Sequence, residues 1–308
     1  MPQAPANWTT RTLLAWMSGA FGEQGLDSPR RLAEELLAHV LGCERLALYT
    51  DADRPASPLE RAQLRDLVKR ALAHEPVQYL VGHESFYGLK LHVDRRVLIP
   101  RPSTLTLVDA VLAHAKRDPR SGPVRDSEAG SGLLIADVCT GSGCVAIALA
   151  KNLPGARFVA TDLSADALEV ARDNAERLGV SDRIDFEHGD LLDALEAHAS
   201  ARNAGSLGAI AANPPYVPDH EWDAVEPNVK DHEPHGALRA GADGLEFVRP
   251  LIEQGPERLA AGGMLAVEIA ACTAAEVLKL AEDHKLLERC EVRKDHEGLA
   301  RVLVARRR

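Results

Sequence analysis

Apolar residues recur at helical spacing in the first quarter of the chain. The stretch SPRRLAEELLAHVLG carries one helical stripe, made of Leu32, Leu36, Leu37, Val40 and Leu41. We expect Ser28 to cap this helix, Pro29 to occupy its first turn and Gly42 to end it. The stretch SPLERAQLRDLVKRALA repeats the arrangement, with Ser57 and Pro58 at its start. The pattern predicts a small helical domain.

The hydrophobic pattern changes near residue 78. The stretch VQYLVGHESFYGLKLHVDRRVLIPRP is rich in β-branched and aromatic residues, and Gly82 and Gly88 are its turn points. It predicts a β-hairpin followed by an extended segment, which Pro100 and Pro102 end. The predicted boundaries are therefore a helical domain over 1–77, a hairpin linker over 78–102 and a third region over 103–308.

Strands and helices alternate in the third region. The predicted strands lie near 133–138, 157–161, 183–187, 207–212 and 263–269, and the predicted helices near 104–116, 164–178 and 244–260. Alternation of this kind predicts an α/β fold with a parallel sheet covered on both faces. The closing stretch ERCEVRKDHEGLARVLVARR predicts two strands joined by a short turn, hence an antiparallel pair at the sheet edge. The polar stretch 117–132 predicts a surface loop.

Composition and charge narrow the function classes. The 308 residues are 45% apolar and 27% charged, with a formal net charge of −10. Duplex-DNA binders normally carry net positive charge, so we expect no direct nucleic-acid partner. The apolar runs are far shorter than a membrane span, and the N-terminus MPQAPANWTT lacks a signal-peptide pattern. We predict a cytoplasmic monomer with no membrane contact.

The cysteines and histidines show no metal-binding spacing. Five cysteines form no C-x-x-C pair, so we expect reduced, mostly buried thiols. His232 and His235 are three residues apart, but Pro234 separates them and no second ligand pair follows. We therefore predict no metal site.

The stretch IADVCTGSGCVAIALA predicts a strand, a glycine turn and a helix. Gly141 and Gly143 let the backbone pass close to a ligand, and the spacing matches the fingerprint G-x-G-x-x-A that ends at Ala146. Asp162 follows about twenty residues later at the end of the next strand, where a carboxylate can accept both ribose hydroxyls. An adenosine ligand follows from this arrangement, and both NAD and S-adenosylmethionine satisfy it.

A second carboxylate ends the following predicted strand, in HGDLLDAL. Asp190 could accept the exocyclic amine of adenine, with Leu191 against the ring. Asp190 could equally serve as a helix cap.

The sequence Asn213-Pro214-Pro215-Tyr216 favours methyl transfer over hydride transfer. The Asn213 side-chain oxygen and the Pro214 carbonyl are two fixed acceptors at the end of a strand, and an –NH2 group offers the two donors that match them. Tyr216 can stack on a planar group. Because ligands bind beyond the carboxyl ends of parallel strands, the target nitrogen would face the adenosine cofactor. This motif has no role in the hydride transfer of a nicotinamide dehydrogenase.

The sequence resembles the HemK family of protein-glutamine N5-methyltransferases. The resemblance rests on EPVQYLVGHESFYGL, VLIPRP, DVCTGSGCVAIALA, ATDLS, AANPPYV and HEPHGALRAGADGL, which occur in order across nearly the whole chain. It implies a seven-stranded class I, Rossmann-like, S-adenosylmethionine-dependent methyltransferase domain, preceded by a small helical domain and a β-hairpin linker. The implied catalytic residues are Asn213, Pro214, Pro215 and Tyr216, and the implied cofactor-binding residues are Cys139, Thr140, Gly141, Ser142, Gly143, Asp162, Leu163, Asp190, Leu191 and Asn213.

The resemblance also implies a substrate, although two departures touch on it. The implied target is the glutamine of the Gly-Gly-Gln loop in class-1 peptide chain release factors, with the helical domain gripping a surface away from that loop. Cys139 stands where release-factor enzymes usually have glycine, and CTGSGC is more similar to the branch acting on a large-subunit ribosomal protein. Ser103 and Leu105 replace an acidic pair that the family usually carries at PRP-x-T. An amino-methyltransferase acting on nucleic acid is a further alternative.

Overall fold

The computed structural model describes residues 7–118 and 132–308. These residues divide into two compact units, one holding the chain up to His83 together with Glu226–His232, the other holding Glu84–Val225 and Glu233–Arg308. The polar loop predicted over 117–132 lies almost wholly outside the described residues. The return of residues 226–232 to the first unit has no signal in the sequence.

The first unit is helical. Its helices are α1 (Thr10–Glu23), α2 (Pro29–Leu41), α3 (Ala47–Thr50), α4 (Pro58–Leu72), α5 (Val77–Val81) and α9 (Pro227–Lys230). Ser57 caps α4 as predicted, because its Oγ accepts from Glu60 N–H while its own N–H donates to Glu60 Oε2 over 2.7 Å. Gly42 ends α2 in the left-handed region at φ 62°. Ser28 occupies the N-cap position of α2 and Pro29 its first turn, as predicted, but Ser28 lies at φ 46° and its side chain makes no capping hydrogen bond.

The core of the helical unit comes from the predicted stripe. Leu36 and Leu37 of α2 are fully buried together with Met17 and Phe21 of α1. Burying a side chain of this size contributes about 1.5–3 kcal/mol, and α2 therefore depends on its packing against the other helices of the unit for much of its stability.

The prediction of a hairpin from residue 78 onward was wrong at its start. Residues 77–81 form the short helix α5, which Gly82 ends at φ 76°. The hairpin itself is β1 (His83–Phe86) and β2 (Leu89–His92), with its turn at Tyr87 and Gly88. The β-branched and aromatic residues of VQYLV favour a strand locally, but Tyr79 and Leu80 are buried by tertiary contacts that a helical turn allows.

The second unit contains the seven-stranded sheet that the sequence predicts. Its strands are β3 (Leu134–Val138), β4 (Arg157–Asp162), β5 (Ile184–His188), β6 (Leu207–Ala212), β7 (Leu259–Glu268), β8 (Leu287–Lys294) and β9 (Ala300–Arg307). The strand order is β5-β4-β3-β6-β7-β9-β8, and β9 runs antiparallel to both of its neighbours. The chain leaves central β3 for β4 on one side and later returns to β6 on the other. This reversal places a ligand crevice at the carboxyl ends of β3 and β6.

Helices cover both faces of this sheet. They are α6 (Leu105–Ala115), α7 (Cys144–Asn152), α8 (Ala165–Arg177), α10 (Val248–Arg258) and α11 (Ala274–Asp283). Successive strand residues point to opposite faces, so Ala211 joins the cluster under α6 and α7 while Ile210 and Ala212 join the cluster under α10 and α11. Both faces of β6 are buried along its whole length, which explains its unbroken apolar sequence.

Asn174 of α8 links the hairpin to the glycine turn. Its Oδ1 accepts from His92 N–H over 2.7 Å, and its Nδ2 donates to the carbonyl oxygens of His92 and Ser142, both at 2.9 Å. The side chain is 1% exposed, so losing it would remove three hydrogen bonds that hold the hairpin and the glycine turn together. None of the helices in the described ranges is both long and apolar enough to cross a membrane.

Candidate functional site

The glycine turn between β3 and α7 is built around a buried carboxylate. Asp137 Oδ2 accepts from Thr140 Oγ1 over 2.7 Å and from Ala146 N–H over 2.9 Å. Burial raises the pKa of Asp137 to about 7, although these two hydrogen bonds work in the opposite direction. Asp137 therefore fixes the conformation of the glycine turn through these two hydrogen bonds.

The two glycines of this turn have different tasks. A Cβ at Gly141 would meet nothing within 4 Å, so its bare backbone faces open space. A Cβ at Gly143 would stand 2.9 Å from Ile147 Cδ1 and 3.2 Å from Ala171 Cβ. Glycine is thus needed at position 143 because a Cβ would collide with α7 and α8 and because φ there is 80°. The prediction gave Gly143 a different task, close approach of the backbone to a ligand.

Asp162, at the end of β4, can still accept hydrogen bonds from a ligand. Its Oδ2 accepts from Gly141 N–H over 2.8 Å, and its Oδ1 accepts from Ser164 N–H over 2.9 Å. Each carboxylate oxygen has a second acceptor site, so the pair can accept two further hydrogens. Burial raises the pKa of Asp162, while the backbone bonds oppose that shift.

Two residues around the same crevice hold backbone conformations that L side chains disfavour. Cys139 lies at φ 61° and Leu191 at φ 41°. Such angles cost on the order of 1–2 kcal/mol for a residue with a Cβ, and strained backbone is concentrated at functional sites. The glycine usual at position 139 in the family would carry no such cost.

Asn213 presents an unpaired acceptor at the end of β6. Its Nδ2 donates to Thr104 Oγ1 over 3.2 Å. Its Oδ1 is buried and has no hydrogen-bond partner among the described residues. A buried polar atom without a partner costs about 1–3 kcal/mol, so the site is arranged for a donor that arrives from outside.

A second buried carboxylate lies beside Asn213. Glu268 ends β7, is 0% exposed, and its Oε1 accepts from Ser103 Oγ over 2.9 Å. Burial raises the pKa of Glu268, while hydrogen bonds from the Thr104 and Ser103 hydroxyls and the charge of Arg301 oppose the shift. Burial likewise raises the pKa of Tyr216, and the Glu268 charge adds to that shift.

A cavity of about 250 Å³ is lined by residues of the glycine turn, by Asp162 and by Asn213. It brings together most of the residues predicted from the sequence: Cys139, Thr140, Gly141, Ser142, Asp162, Leu163, Asp190, Leu191, Asn213 and Pro215. Three predicted residues are absent from its lining, namely Gly143, Pro214 and Tyr216.

The lining also includes two segments to which the sequence analysis assigned no site residue. These segments are residues 96–98 with Pro100, and Pro234 with residues 236–237. Glu233 joins these segments, since its Oε2 accepts from Ile99 N–H over 3.0 Å and its Oε1 pairs with Arg101. Both segments overlap motifs that carry the family resemblance, VLIPRP and HEPHGAL. These motifs were the feature of the sequence from which the two segments could have been predicted as part of the site.

The described part of the chain contains no cluster of three or more His, Cys, Asp or Glu side chains that could hold a metal ion. Its five cysteines are free, and the prediction that most are buried was wrong: four are partly exposed and Cys272 is exposed.

Comparison with known proteins gives matches over both units. A family model described as the PrmC N-terminal domain matches residues 12–82, and a methyltransferase domain model matches residues 135–229. Among solved structures, the hMettl16 catalytic domain in complex with the MAT2A 3′UTR hairpin 6 aligns with a TM-score of 0.51 and 16% identity, covering 83% of this chain and 84% of that chain. This likeness concerns the fold alone.

Relatives along nearly the whole chain are named release factor glutamine methyltransferase. The protein of Chlorobaculum tepidum is 43% identical over 89% of each chain. That of Rhodopirellula baltica is 37% identical over 96% of this chain and 95% of its own. That of Geobacter sulfurreducens is 36% identical over 99% of both. The family resemblance inferred from the motifs is confirmed, and this chain belongs to the release factor glutamine methyltransferase family.

Proposed function

We propose that this chain methylates the side-chain amide nitrogen of the glutamine in the Gly-Gly-Gln loop of class-1 peptide chain release factors. The observation that carries the proposal is the buried, unpartnered Oδ1 of Asn213, a residue that lines the same cavity as Asp162. A primary amide supplies the N–H donor that this oxygen lacks. The names of the relatives support a glutamine in a release factor as the source of that amide.

The chain is an S-adenosylmethionine-dependent enzyme. The glycine turn and Asp162 in the cavity lining support this cavity as the place for the cofactor. We assign the two ribose hydroxyls to the free acceptor sites of Asp162, whose backbone bonds hold both oxygens in place. We assign the adenine ring to Leu191 and to Leu163, which is 63% exposed at the cavity edge. Asp190 would accept the exocyclic amine. The segment from Cys139 to Gly143 would follow the rest of the cofactor, with Gly143 acting through helix packing.

Methyl transfer then depends on how the chain orients the target nitrogen. Bound S-adenosylmethionine supplies a methyl group on a positively charged sulfur, and its transfer leaves a neutral thioether. An amide nitrogen is a poor nucleophile, so placing it in line with the methyl group is the main task of the protein. We assign that task to Asn213 Oδ1 as the acceptor, with Pro215 stiffening the backbone beside it. The substrate contacts predicted for the Pro214 carbonyl and for Tyr216 stay predictions, because neither residue lines the cavity.

The same acceptor stabilises the transition state. Positive charge develops on the target nitrogen as the new nitrogen–carbon bond forms, so its hydrogens become stronger donors. An acceptor aimed at one of these hydrogens binds the transition state more tightly than the ground state. The alkylated nitrogen is strongly acidic and loses its extra proton to water.

The helical unit is the proposed grip on the protein substrate. Leu46 and Leu59 are 81% and 69% exposed, and Tyr49 of the same unit is 51% exposed. These side chains are the candidate contacts of the grip, and they lie in the segment that matches the PrmC N-terminal domain model. A grip on a surface of the factor away from its loop would let the enzyme recognise a folded factor as well as the loop.

A direct test offers three substrates to the full chain with methyl-labelled S-adenosylmethionine: a class-1 release factor, large-subunit ribosomal proteins, and RNA or DNA. We expect label on the release factor, and mass spectrometry should place one methyl group on the glutamine of its Gly-Gly-Gln loop. A factor with that glutamine changed to alanine is the matched control. Label on a ribosomal protein instead would follow the similarity of CTGSGC to that branch and would overturn the substrate assignment. Label on nucleic acid would overturn the reaction class.

A further inference from the structure

The short turn His235–Ala237 belongs to the cavity lining, but the proposed reaction gives it no task. Gly236 and Ala237 of this turn line the cavity, as does Pro234 just before it. Ala237 N–H donates to the Pro234 carbonyl oxygen over 3.0 Å, which closes the turn. The chain thus presents a compact backbone loop to the same cavity that Asn213 lines.

This turn is fixed on both sides. Before it, Glu233 is 3% exposed, and its Oε2 accepts from Ile99 N–H over 3.0 Å. After it, the Leu238 carbonyl oxygen accepts from Val217 N–H over 2.8 Å. Val217 is four residues after Asn213, so the second bond ties the turn to the segment that supplies the acceptor. The turn therefore cannot move aside freely when a ligand enters.

The lining next to the turn suits an uncharged group. The segment that Glu233 binds contributes Val97, Leu98 and Pro100 to the lining. None of these three side chains has a polar atom, and the same holds for the lining residues of the turn. S-adenosylmethionine ends in an ammonium and a carboxylate. Burying such charges among apolar side chains is costly, so this part of the lining favours a peptide segment over that end of the cofactor.

Gly236 is not required by its own surroundings in the protein. A Cβ at position 236 would meet no atom of the described chain within 4 Å, its two chain neighbours apart, and φ there lies outside the left-handed region that favours glycine. Packing and backbone conformation therefore leave the glycine unexplained. Because Gly236 lines the cavity, the room left by its missing side chain is available to a ligand.

We propose that the turn His235–Ala237 seats the main chain of the two glycines that precede the target glutamine, with Gly236 as a specificity-determining residue. Two stretches without side chains can approach each other closely. The glutamine side chain that follows the two glycines would then extend towards Asn213, which lines the same cavity. This inference rests on the function proposed above, and it makes the cavity selective for a glutamine that follows glycine.

Side chains added at position 236 test the seat in the full chain. Gly236→Ala places one carbon atom in the open room, and Gly236→Val adds two more. Steady-state methylation of an intact class-1 release factor is measured together with calorimetric titration of S-adenosylmethionine and thermal unfolding. We expect Gly236→Ala to raise the KM for the factor about 10-fold, as for one carbon atom of misfit in a binding site, and Gly236→Val to raise it further. The kcat, the cofactor affinity and the unfolding temperature should change much less.

Two comparisons show whether the added carbon atom meets the glycines of the substrate. Gly22→Ala is the matched control, because a Cβ at position 22 of α1 would have only Pro29 Cγ near it, at 4.0 Å, and φ there is also outside the left-handed region. This variant should leave the KM unchanged. A release factor in which the second glycine of the motif is changed to alanine adds the carbon atom from the other side. The unmodified enzyme should show a KM for this factor that is also raised about 10-fold.

Each of three results would overturn the seat: an unchanged KM in both position-236 variants, an unchanged KM for the altered factor, or a cofactor affinity that falls as much as the KM rises. The last result would mean that the cofactor occupies this space. If the unmodified chain does not methylate the release factor at all, the proposed function is overturned instead, so the two failures are distinguishable.

Discussion

Gly244 lies directly against the backbone of Tyr216. A Cβ at position 244 would stand 2.9 Å from the Tyr216 carbonyl oxygen and 3.3 Å from Pro218 Cβ. Backbone oxygen cannot rotate away as a flexible side chain can. The conformation of the chain just after Asn213 therefore depends on a glycine about thirty residues later, in the motif GADGL.

We expect Gly244→Ala to lower both stability and turnover. Its φ of 76° costs about 1 kcal/mol or more for alanine, and the contact with Tyr216 adds an overpacking cost of similar size. Gly298→Ala is the matched control, because Gly298 has a φ of 82° and open space around its missing Cβ. Urea unfolding and single-turnover methylation should show a strain cost in both variants and a turnover loss only at position 244. Equal turnover in the two would contradict the proposed link between Gly244 and the site.

Asn213→Ala should lose about 10²-fold or more in turnover, on the order of 3 kcal/mol, as for a lost transition-state hydrogen bond. Asn213→Asp keeps an acceptor but adds negative charge, so its turnover should fall between alanine and the unmodified chain. The affinity for S-adenosylmethionine, measured by calorimetry, should change much less in both variants because the proposed adenosine contacts lie on β3, β4 and the residues after β5. Near-normal turnover in Asn213→Ala would mean that the motif serves only as a rigid turn.

The sequence predicted those parts of the site that depend on local order. Gly141 and Asp162 each sit at the end of a strand with a clear apolar pattern, and parallel strands bring such ends together. The segment containing Pro100 was missed as a cavity wall because its position depends on Glu233, a contact across 134 residues. The hydrophobic pattern around Pro100 and that around Glu233 do not predict that the two segments are in contact.

Where local preference and tertiary packing conflict, the sequence was a poorer guide. VQYLV has strand-forming residues but is helical, since Tyr79 and Leu80 are buried in that form. Ser28 has the right residue type for a cap, but its φ of 46° directs its side chain to no capping bond. The unpartnered oxygen of Asn213 was predictable as an acceptor, whereas its orientation by Thr104 required the three-dimensional arrangement.

At position 139, a glycine variant should be more stable than an alanine variant, which is the reverse of the usual order. Cys139 has a φ of 61°, so Cys139→Gly releases strain while Cys139→Ala keeps it. Both variants lose the same thiol, and we expect the glycine variant to be more stable by about 1 kcal/mol. At Cys144, the first residue of α7, alanine should be the more stable replacement, as is normal in a helix. Thermal unfolding of the four variants checks this, and the same order at both positions would contradict it.

Leu46 and Leu59 should matter for whole release factors and not for peptides. Replacing either exposed leucine with serine should raise the KM for the intact factor by about 5-fold, as for the loss of roughly 1 kcal/mol of apolar contact. Turnover of a short Gly-Gly-Gln peptide should not change. Leu299→Ser is the control, since Leu299 is 43% exposed in the turn between β8 and β9, outside the helical unit. An unchanged KM in both leucine variants would contradict the proposed grip.

Asp137 should give the unfolding free energy a pH dependence of defined sign. Burial raises its pKa in the folded chain to about 7 from an ordinary 3.8, so the folded chain holds a proton that the unfolded chain releases. Its contribution to stability is then fully present below about pH 4 and is lost as the pH rises through about 7, with each pKa unit worth about 1.4 kcal/mol. In Asp137→Asn the amide oxygen can still accept from Thr140 Oγ1 and Ala146 N–H, but no proton is exchanged. Urea unfolding at intervals from pH 5 to pH 8 should show the unmodified chain losing stability relative to Asp137→Asn across this window. A stability difference between the two chains that stays constant with pH would show that Asp137 is ionised in the folded state throughout this window, and one that moves in favour of the unmodified chain as the pH rises would equally contradict a raised pKa.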